Sequence, residues 1–256
     1  MEILSFILIL AVSFIASIIG TIIGSAMLIL PPTMIFFGIP PHTAVATGRF
    51  SMVGVGIGNA TRFSMRNMIQ LKYVIPFAAA GIVGAVFGAL SLKRIDGDFL
   101  KILMGILMMI ISVLLIFEDY LMNRKIKANI SFKSHLLSII SGLFLGAYIG
   151  VIGGGGATIV ILLLVLIYGL NFRDAVANQK AVTLPISIIA TIIFIYQGLI
   201  DYRIGIPLFL VNMVGGWVGV GLLMKFDSKW LKRIIIPIII LLAIKLILSS
   251  VTISKW

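Results

Sequence analysis

Long apolar runs separated by short polar links dominate the chain. Most runs have the length of about 20 residues that a helix needs to cross the hydrocarbon core of a bilayer. This pattern predicts an all-α polytopic membrane protein. The runs cover residues 3–38, 43–64, 71–92, 98–117, 134–169, 173–199, 204–224 and 231–253.

The first and fifth runs are too long to be single crossing helices. A helix of about 35 residues at about 1.5 Å per residue exceeds a hydrocarbon core of about 30 Å. Each of these runs carries glycines near its middle, where helix propensity is weakest. We therefore predict that each is broken into two half-length helices, 3–19 with 25–38 and 134–150 with 156–169.

An internal repeat accounts for the two broken runs. A gapless offset of 131 residues aligns glycines, prolines and charged residues in the two halves of the chain. It predicts one membrane transport domain over 1–256, built from two homologous four-segment repeats (1–120 and 132–256) and a linker (121–131). Such duplication and broken helices are typical of secondary transporters. The aligned pairs include Gly24 with Gly155, Gly38 with Gly169, Pro76 with Pro207, Gly84 with Gly215, Gly88 with Gly219, Asp96 with Asp227 and Lys101 with Lys232.

The distribution of Lys and Arg among the links favours inverted repeats. Parallel repeats would place eight cations on one side and seven on the other, whereas inverted repeats place eleven against four. The protein is then predicted to span the cytoplasmic membrane. By the positive-inside rule, links 62–72, 120–133 and 225–233 lie on its cytoplasmic side. Inversion requires each broken run to enter and leave on the same side, either as a re-entrant hairpin or as two short crossings.

Composition and net charge are consistent with a membrane protein. The 256 residues are 61% hydrophobic and 11% charged, and the mean hydropathy is +1.24. The formal charge of +12 does not indicate nucleic-acid binding, because the cations lie in links where they face anionic lipid. The expected partners are the lipid bilayer and a small anionic substrate.

Two cations inside apolar segments are the main candidates for substrate binding. Arg49 and Lys180 are equivalent under the offset, and each lies about seven residues into its segment. Intramembrane cations face a cavity, a partner or a substrate. Two interpretations stay open: the cations pair with helix-end carbonyls of the opposite hairpin or extend to the membrane surface, or they converge on an anion. Polar neighbours that would contribute hydrogen bonds are Thr47, Ser51, Asn178 and Gln179.

The glycine breaks are the second candidate for the site. Half-helices that start just after Gly24 and Gly156 would direct backbone N–H groups and positive dipole ends at an anion. The predicted backbone contributors are Gly24, Ser25, Gly154, Gly155 and Gly156.

Acidic and metal-binding residues are missing from the middle of every apolar segment. All eight carboxylates lie in links or at segment ends, the chain has no cysteine, and His42 and His135 are far apart. Metal sites and proton or sodium relays usually need such groups. We expect no metal, no cofactor and no catalytic residues, so an enzyme is not predicted.

The repeated motifs resemble those of the TauE/SafE sulfite exporter family. The resemblance lies in GTIIGSAM with Pro31 and Pro32, FGIPPHTAVATGRFS, GVIGGGGA and YGLNFRDAVANQKAV, and it covers essentially the whole chain. It implies secondary transport, often outward, of sulfite, sulfoacetate or a related anion across the cytoplasmic membrane. Gly24-Ser25-Ala26 departs from the glycine cluster that the first repeat of members often carries. The second repeat has no proline matching Pro31 or Pro32.

Other functions stay open at this point. An anion channel and an accessory membrane subunit of a sulfur-metabolism system are both compatible with the sequence. Small-xxx-small patterns at Gly20/Gly24, Gly84/Gly88 and Gly215/Gly219 indicate close helix packing within the bundle and leave a homodimer open.

Overall fold

A computed structural model describes residues 3–24, 26–122, 130–225 and 229–253, and these residues form helices without strands. Six of the helices are long and apolar enough to cross a membrane, so the chain is a multi-pass membrane protein. The helices are α1 (Ile3–Ile23), α2 (Leu30–Phe36), α3 (Pro41–Ser64), α4 (Leu71–Leu92), α5 (Gly97–Met122), α6 (Phe132–Val151), α7 (Gly156–Tyr168), α8 (Phe172–Tyr196), α9 (Tyr202–Lys225) and α10 (Lys229–Ile253).

Both long apolar runs are broken, and the second breaks as predicted, between α6 and α7. The first break differs from the prediction. Helix α1 continues through Gly20 to Ile23, and a 3₁₀ turn (Ala26–Leu28) precedes α2. Pro31 and Pro32 lie in the first turn of α2, where the absence of an N–H group is tolerated. The expected half-helix from residue 25 is therefore replaced by a 3₁₀ turn and a seven-residue helix.

The packing of the helices follows the 131-residue offset. Helix α4 packs against α6 and α8, and its equivalent α9 packs against α1 and α3. Equivalent helices also contact each other directly, α3 with α8 and α5 with α10. The two halves therefore interlock, because the main neighbours of α4 and α9 belong to the opposite half.

Glycines allow close approach at these interfaces and show the helix directions. Gly84 and Gly88 of α4 lie against the carbonyls of Leu143 and Ala147 of α6, so residue numbers rise together and the two helices are parallel. On the other side of the bundle, Gly215 and Gly219 of α9 lie against the carbonyls of Phe14 and Ile18 in α1, which is also a parallel pair. These two small-xxx-small patterns thus serve packing within one chain, as the sequence indicates.

The equivalent helices α3 and α8 run in opposite directions. Near the amino end of α3, Arg49 contacts the carboxyl end of α6. That end of α6 packs on α4, and Gln197, just after the carboxyl end of α8, contacts the same part of α4. Ten residues further along α3, Asn59 contacts α1 close to Gly20. Gly20 accepts a hydrogen bond from Lys180, so this part of α3 lies near the amino end of α8. This antiparallel relation is the one expected of inverted repeats.

Candidate functional site

The two chain breaks meet each other in the middle of the bundle. Gly24, with φ of +84°, directly follows α1 and lies against the main-chain nitrogen of Thr158 in the first turn of α7. The Thr158 hydroxyl donates a hydrogen bond to the carbonyl of Ile23 at 3.1 Å. The carboxyl end of α1 is thereby joined to the amino end of α7 of the other half.

The side chain of Arg49, a residue of α3, contacts the carboxyl end of α6. Its side chain is 3% exposed and donates a hydrogen bond to the carbonyl of Ile149, near the carboxyl end of that helix. Its guanidinium group lies against Gly153, where a Cβ atom would overlap it. Arg49 Nε is buried and has no hydrogen-bond partner.

The side chain of Lys180, a residue of α8, contacts the carboxyl end of α1 in the equivalent way. It is 6% exposed, and its Nζ donates to the carbonyl of Gly20 at 3.0 Å. Gly20 lies in the last turn of α1, so both cations stabilise the negative dipole end of a broken helix in the opposite half. No ion pair with either cation is seen among the described residues.

Both cations line one cavity of about 70 Å³. A cavity needs about 10–15 Å³ of such volume to hold one water molecule, so this cavity has room for an ion of a few heavy atoms. Drug-sized ligands occupy pockets of about 300–1,000 Å³. The polar lining also includes Asn59, Gln179, Thr183 and Ser187, and the remainder is largely Gly20, Gly24, Gly153, Met27, Met52, Val55 and Leu184.

Unused hydrogen-bond donors surround this cavity. Arg49 Nε is buried without a partner. The Asn59 side-chain amide meets the Thr21 hydroxyl at 2.9 Å with one of its two polar atoms, and its other polar atom is buried without a partner. Lys180 carries three N–H donors, of which the bond to Gly20 uses one. Donors and two positive charges without a facing carboxylate are the chemistry of an anion site.

Comparison with known proteins assigns the chain to a family. The family model described as "Sulfite exporter TauE/SafE" matches residues 8–246. The chain belongs to the TauE/SafE sulfite exporter family. It is therefore a membrane transporter of the TauE/SafE type, as the motifs predict.

The relatives of this TauE/SafE protein are named as probable membrane transporters. "Probable membrane transporter protein ORF9" of Sinorhizobium is 27% identical, over 92% of this chain and 89% of its own length. A "Probable membrane transporter protein" of Haemophilus influenzae is 24% identical, over 96% and 94%. "Probable membrane transporter protein YdhB" of Bacillus subtilis is 26% identical, over 83% and 88%.

Four of the predicted site residues line the cavity of this TauE/SafE protein, namely Arg49, Lys180, Gln179 and Gly24. Gly154, Gly155 and Gly156 do not. Gly154 instead faces Leu28, Gly155 faces Ile111 of α5, and Gly156 faces Ile149. Ser25 lies outside the described residues.

Three predicted polar ligands form hydrogen bonds away from the cavity. Thr47 Oγ1 accepts from the main-chain nitrogen of Asp201 at 3.0 Å, and Asn178 Oδ1 accepts from that of Gln70 at 2.7 Å. Thr47 and Asn178 are equivalent under the offset, as are Asp201 and Gln70, so each half ties its polar side chain to the start of a helix in the other. Ser51 donates locally to the carbonyl of Gly48 at 2.8 Å.

Sequence reasoning missed Asn59, Thr183, Ser187 and Gly153, all of which line the cavity. Helical spacing carries the signal for the first three. Counting from Arg49 along α3, the cavity face includes residues 52, 55, 56 and 59, and from Lys180 along α8 it includes 183, 184 and 187. These steps of three and four residues follow one side of a helix.

Proposed function

We propose that this TauE/SafE protein exports a small sulfur oxyanion, sulfite or a similar species, across the cytoplasmic membrane by alternating access. The observation that carries the proposal is the cavity between the halves, where two buried cations of opposite repeats meet unpartnered donors. The cavity volume of about 70 Å³ favours a compact inorganic ion over an organosulfonate with a carbon chain.

The arrangement at the two helix ends supports a rocking mechanism. Arg49 and Lys180 each link one half of the chain to the broken helix of the other. An anion in the cavity competes with these carbonyls for the two cations, because both are acceptors. Substrate binding thus weakens contacts between the halves, which we propose are inverted repeats that move against each other.

The membrane potential supplies a driving force for export. Moving one negative charge outward across an inside-negative membrane is favourable by about 2.3 kcal/mol per 100 mV. A coupling ion is then not needed, which agrees with a cavity whose described lining residues include no carboxylate.

The test is flux of radiolabelled sulfite in proteoliposomes under an imposed potential, for wild type, Arg49→Gln and Lys180→Met. We expect flux to follow the potential and to fall at least tenfold in both variants, since removing a buried charged donor costs about 2–5 kcal/mol of binding.

Arg62→Gln is the matched control for these variants. Arg62 is also on α3, donates to the carbonyl of Trp217 in the other half and lies 5.2 Å from the Trp217 ring, but it does not line the cavity. Flux in this variant should stay within about twofold of wild type, because Arg62 is half-buried and lies outside the cavity, so its loss leaves the partners of the anion in place. Normal flux in both cavity variants would show that the cations are structural and would refute the proposed site.

A further inference from the structure

Gln179 is a cavity residue whose side chain carries an unpaired hydrogen-bond acceptor. Its side chain is 1% exposed, lines the cavity beside Lys180, and has an Oε1 atom that is buried without a hydrogen-bond partner. Among the other cavity residues, Arg49 Nε, which donates, and one polar atom of the Asn59 amide are also buried without a partner.

The orientation of the Gln179 amide is fixed by its neighbour Thr183. The Thr183 hydroxyl donates its single proton to the main-chain carbonyl of Gln179 at 3.0 Å. It can then only accept from the Gln179 side chain, which it meets at 2.8 Å. The group that faces Thr183 must therefore be the NH₂ group, and Oε1 is the atom left over.

A fully ionised oxyanion cannot pair with this oxygen. Every outer atom of such an ion is an acceptor, so Oε1 would stay unpaired and would face negative charge. A buried polar atom without a partner costs about 1–3 kcal/mol, and a site built to bond a hydroxyl group rejects ligands that lack it.

We infer that Gln179 selects oxyanions that keep an O–H group near neutral pH, such as hydrogen sulfite and hydrogen phosphate, against fully ionised ones such as sulfate. The O–H group donates to Gln179 Oε1, while the remaining oxygens accept from Arg49 and Lys180. This inference rests on the proposed anion site and names the protonation state that the site prefers.

The experiment measures binding of sulfite, phosphate and sulfate to the purified protein in nanodiscs by titration calorimetry, slightly below neutral pH. We expect wild type to bind sulfite and phosphate at least tenfold more tightly than sulfate. Gln179→Met keeps the side-chain length and removes the acceptor, so it should reduce this preference about tenfold.

Gln197→Met is the matched control. Gln197 follows the end of the same helix, its amide nitrogen donates to the carbonyls of Ala89 and Leu90, and its Oε1 is likewise buried without a partner. It does not line the cavity. The same chemical change at this position should leave the preference for sulfite and phosphate over sulfate as in wild type. Any part of the preference that comes only from the charge of the anions is then the same in both proteins.

A second variant covers the case in which Gln179→Met does not fold. Gln179→Glu keeps acceptor oxygens and adds a negative charge, so it should weaken all three anions and retain the preference for those with an O–H group. A preference that is the same in wild type and Gln179→Met, or lost in Gln179→Glu, would overturn the inference while leaving the anion site intact. Failure of wild type to bind any of the three anions would refute the proposed function itself.

Discussion

Arg49 and Lys180 are each held by one main-chain carbonyl at a helix end, and donors on both remain free for a second partner. Pairing with helix-end carbonyls and facing a cavity are thus compatible within one geometry, although sequence reasoning treats them as alternatives. A carbonyl at a helix end lowers the cost of burying the charge without neutralising it. The side chain can therefore remain buried in the absence of an anion.

Gly153 is the residue at which this geometry is most sensitive. Its φ is +73°, and an added methyl group would overlap the Arg49 guanidinium. Gly153→Ala should lower the free energy of unfolding by about 1–3 kcal/mol through overpacking, in addition to the backbone strain. It should also weaken sulfite binding, because Arg49 is displaced.

Gly198→Ala separates backbone strain from the contact with Arg49. Gly198 has a similar φ of +68°, but no atom lies within 4 Å of the position of an added Cβ. Thermal unfolding and sulfite titration of the two variants provide the comparison. Equal effects at both positions would show that contact with Arg49 contributes nothing.

The limits of sequence reasoning differ from residue to residue. Depth within an apolar segment was enough to select Arg49 and Lys180 as cavity residues. Thr47 and Asn178 are close to them in sequence, but which helix end each side chain meets depends on the register between α3 and α9 or between α8 and the link 65–70. That register arises from tertiary packing, and no local pattern encodes it.

At the scale of elements, most helix positions follow from the apolar runs, whereas the first break does not. Glycine spacing does not show that α1 continues to Ile23, because the end is fixed by contacts of Gly20 and Ile23 with the other half. The two breaks also differ in kind. Pro31 and Pro32 lack N–H groups, so the start of α2 has fewer donors for an anion than the start of α7.

Thr47 and Asn178 lie near the amino ends of α3 and α8. Because these two helices are antiparallel, the two hydrogen bonds join the halves at opposite sides of the bundle. We expect each bond to hold one entrance to the cavity closed. Thr47→Val should open the cavity from the side of link 197–201, and Asn178→Leu from the side of link 65–70. The measurement is labelling of a Ser187→Cys reporter by an impermeant thiol reagent in vesicles of both orientations. The chain has no native cysteine, so the background is zero.

Ser51→Ala is the control for this labelling, since Ser51 bonds within its own helix. Its labelling should equal that of the reporter alone from both sides. If Thr47→Val and Asn178→Leu raise labelling from the same side, the two bonds do not guard opposite entrances.

At the scale of the whole molecule, the Lys and Arg of the links predict how the bundle lies in the membrane. Arg66 and Lys93 are exposed and lie at opposite ends of α4. Inverted repeats would place eleven cations on the side of Arg66 and four on the side of Lys93, so we expect Lys93→Cys to react with an impermeant reagent in intact cells. Arg66→Cys should react only after permeabilisation, and the reverse result would contradict the orientation.

The interlocking of the halves also determines what a fragment can do. Either half alone exposes the carbonyls at the end of its first helix, and its own cation has no helix end to bind. Expression of residues 1–122 or 130–256 alone should therefore yield no transport. Co-expression of the two halves as separate polypeptides should restore transport. Each half then supplies the helix end that the cation of the other half binds, and these contacts do not need a covalent connection between the halves.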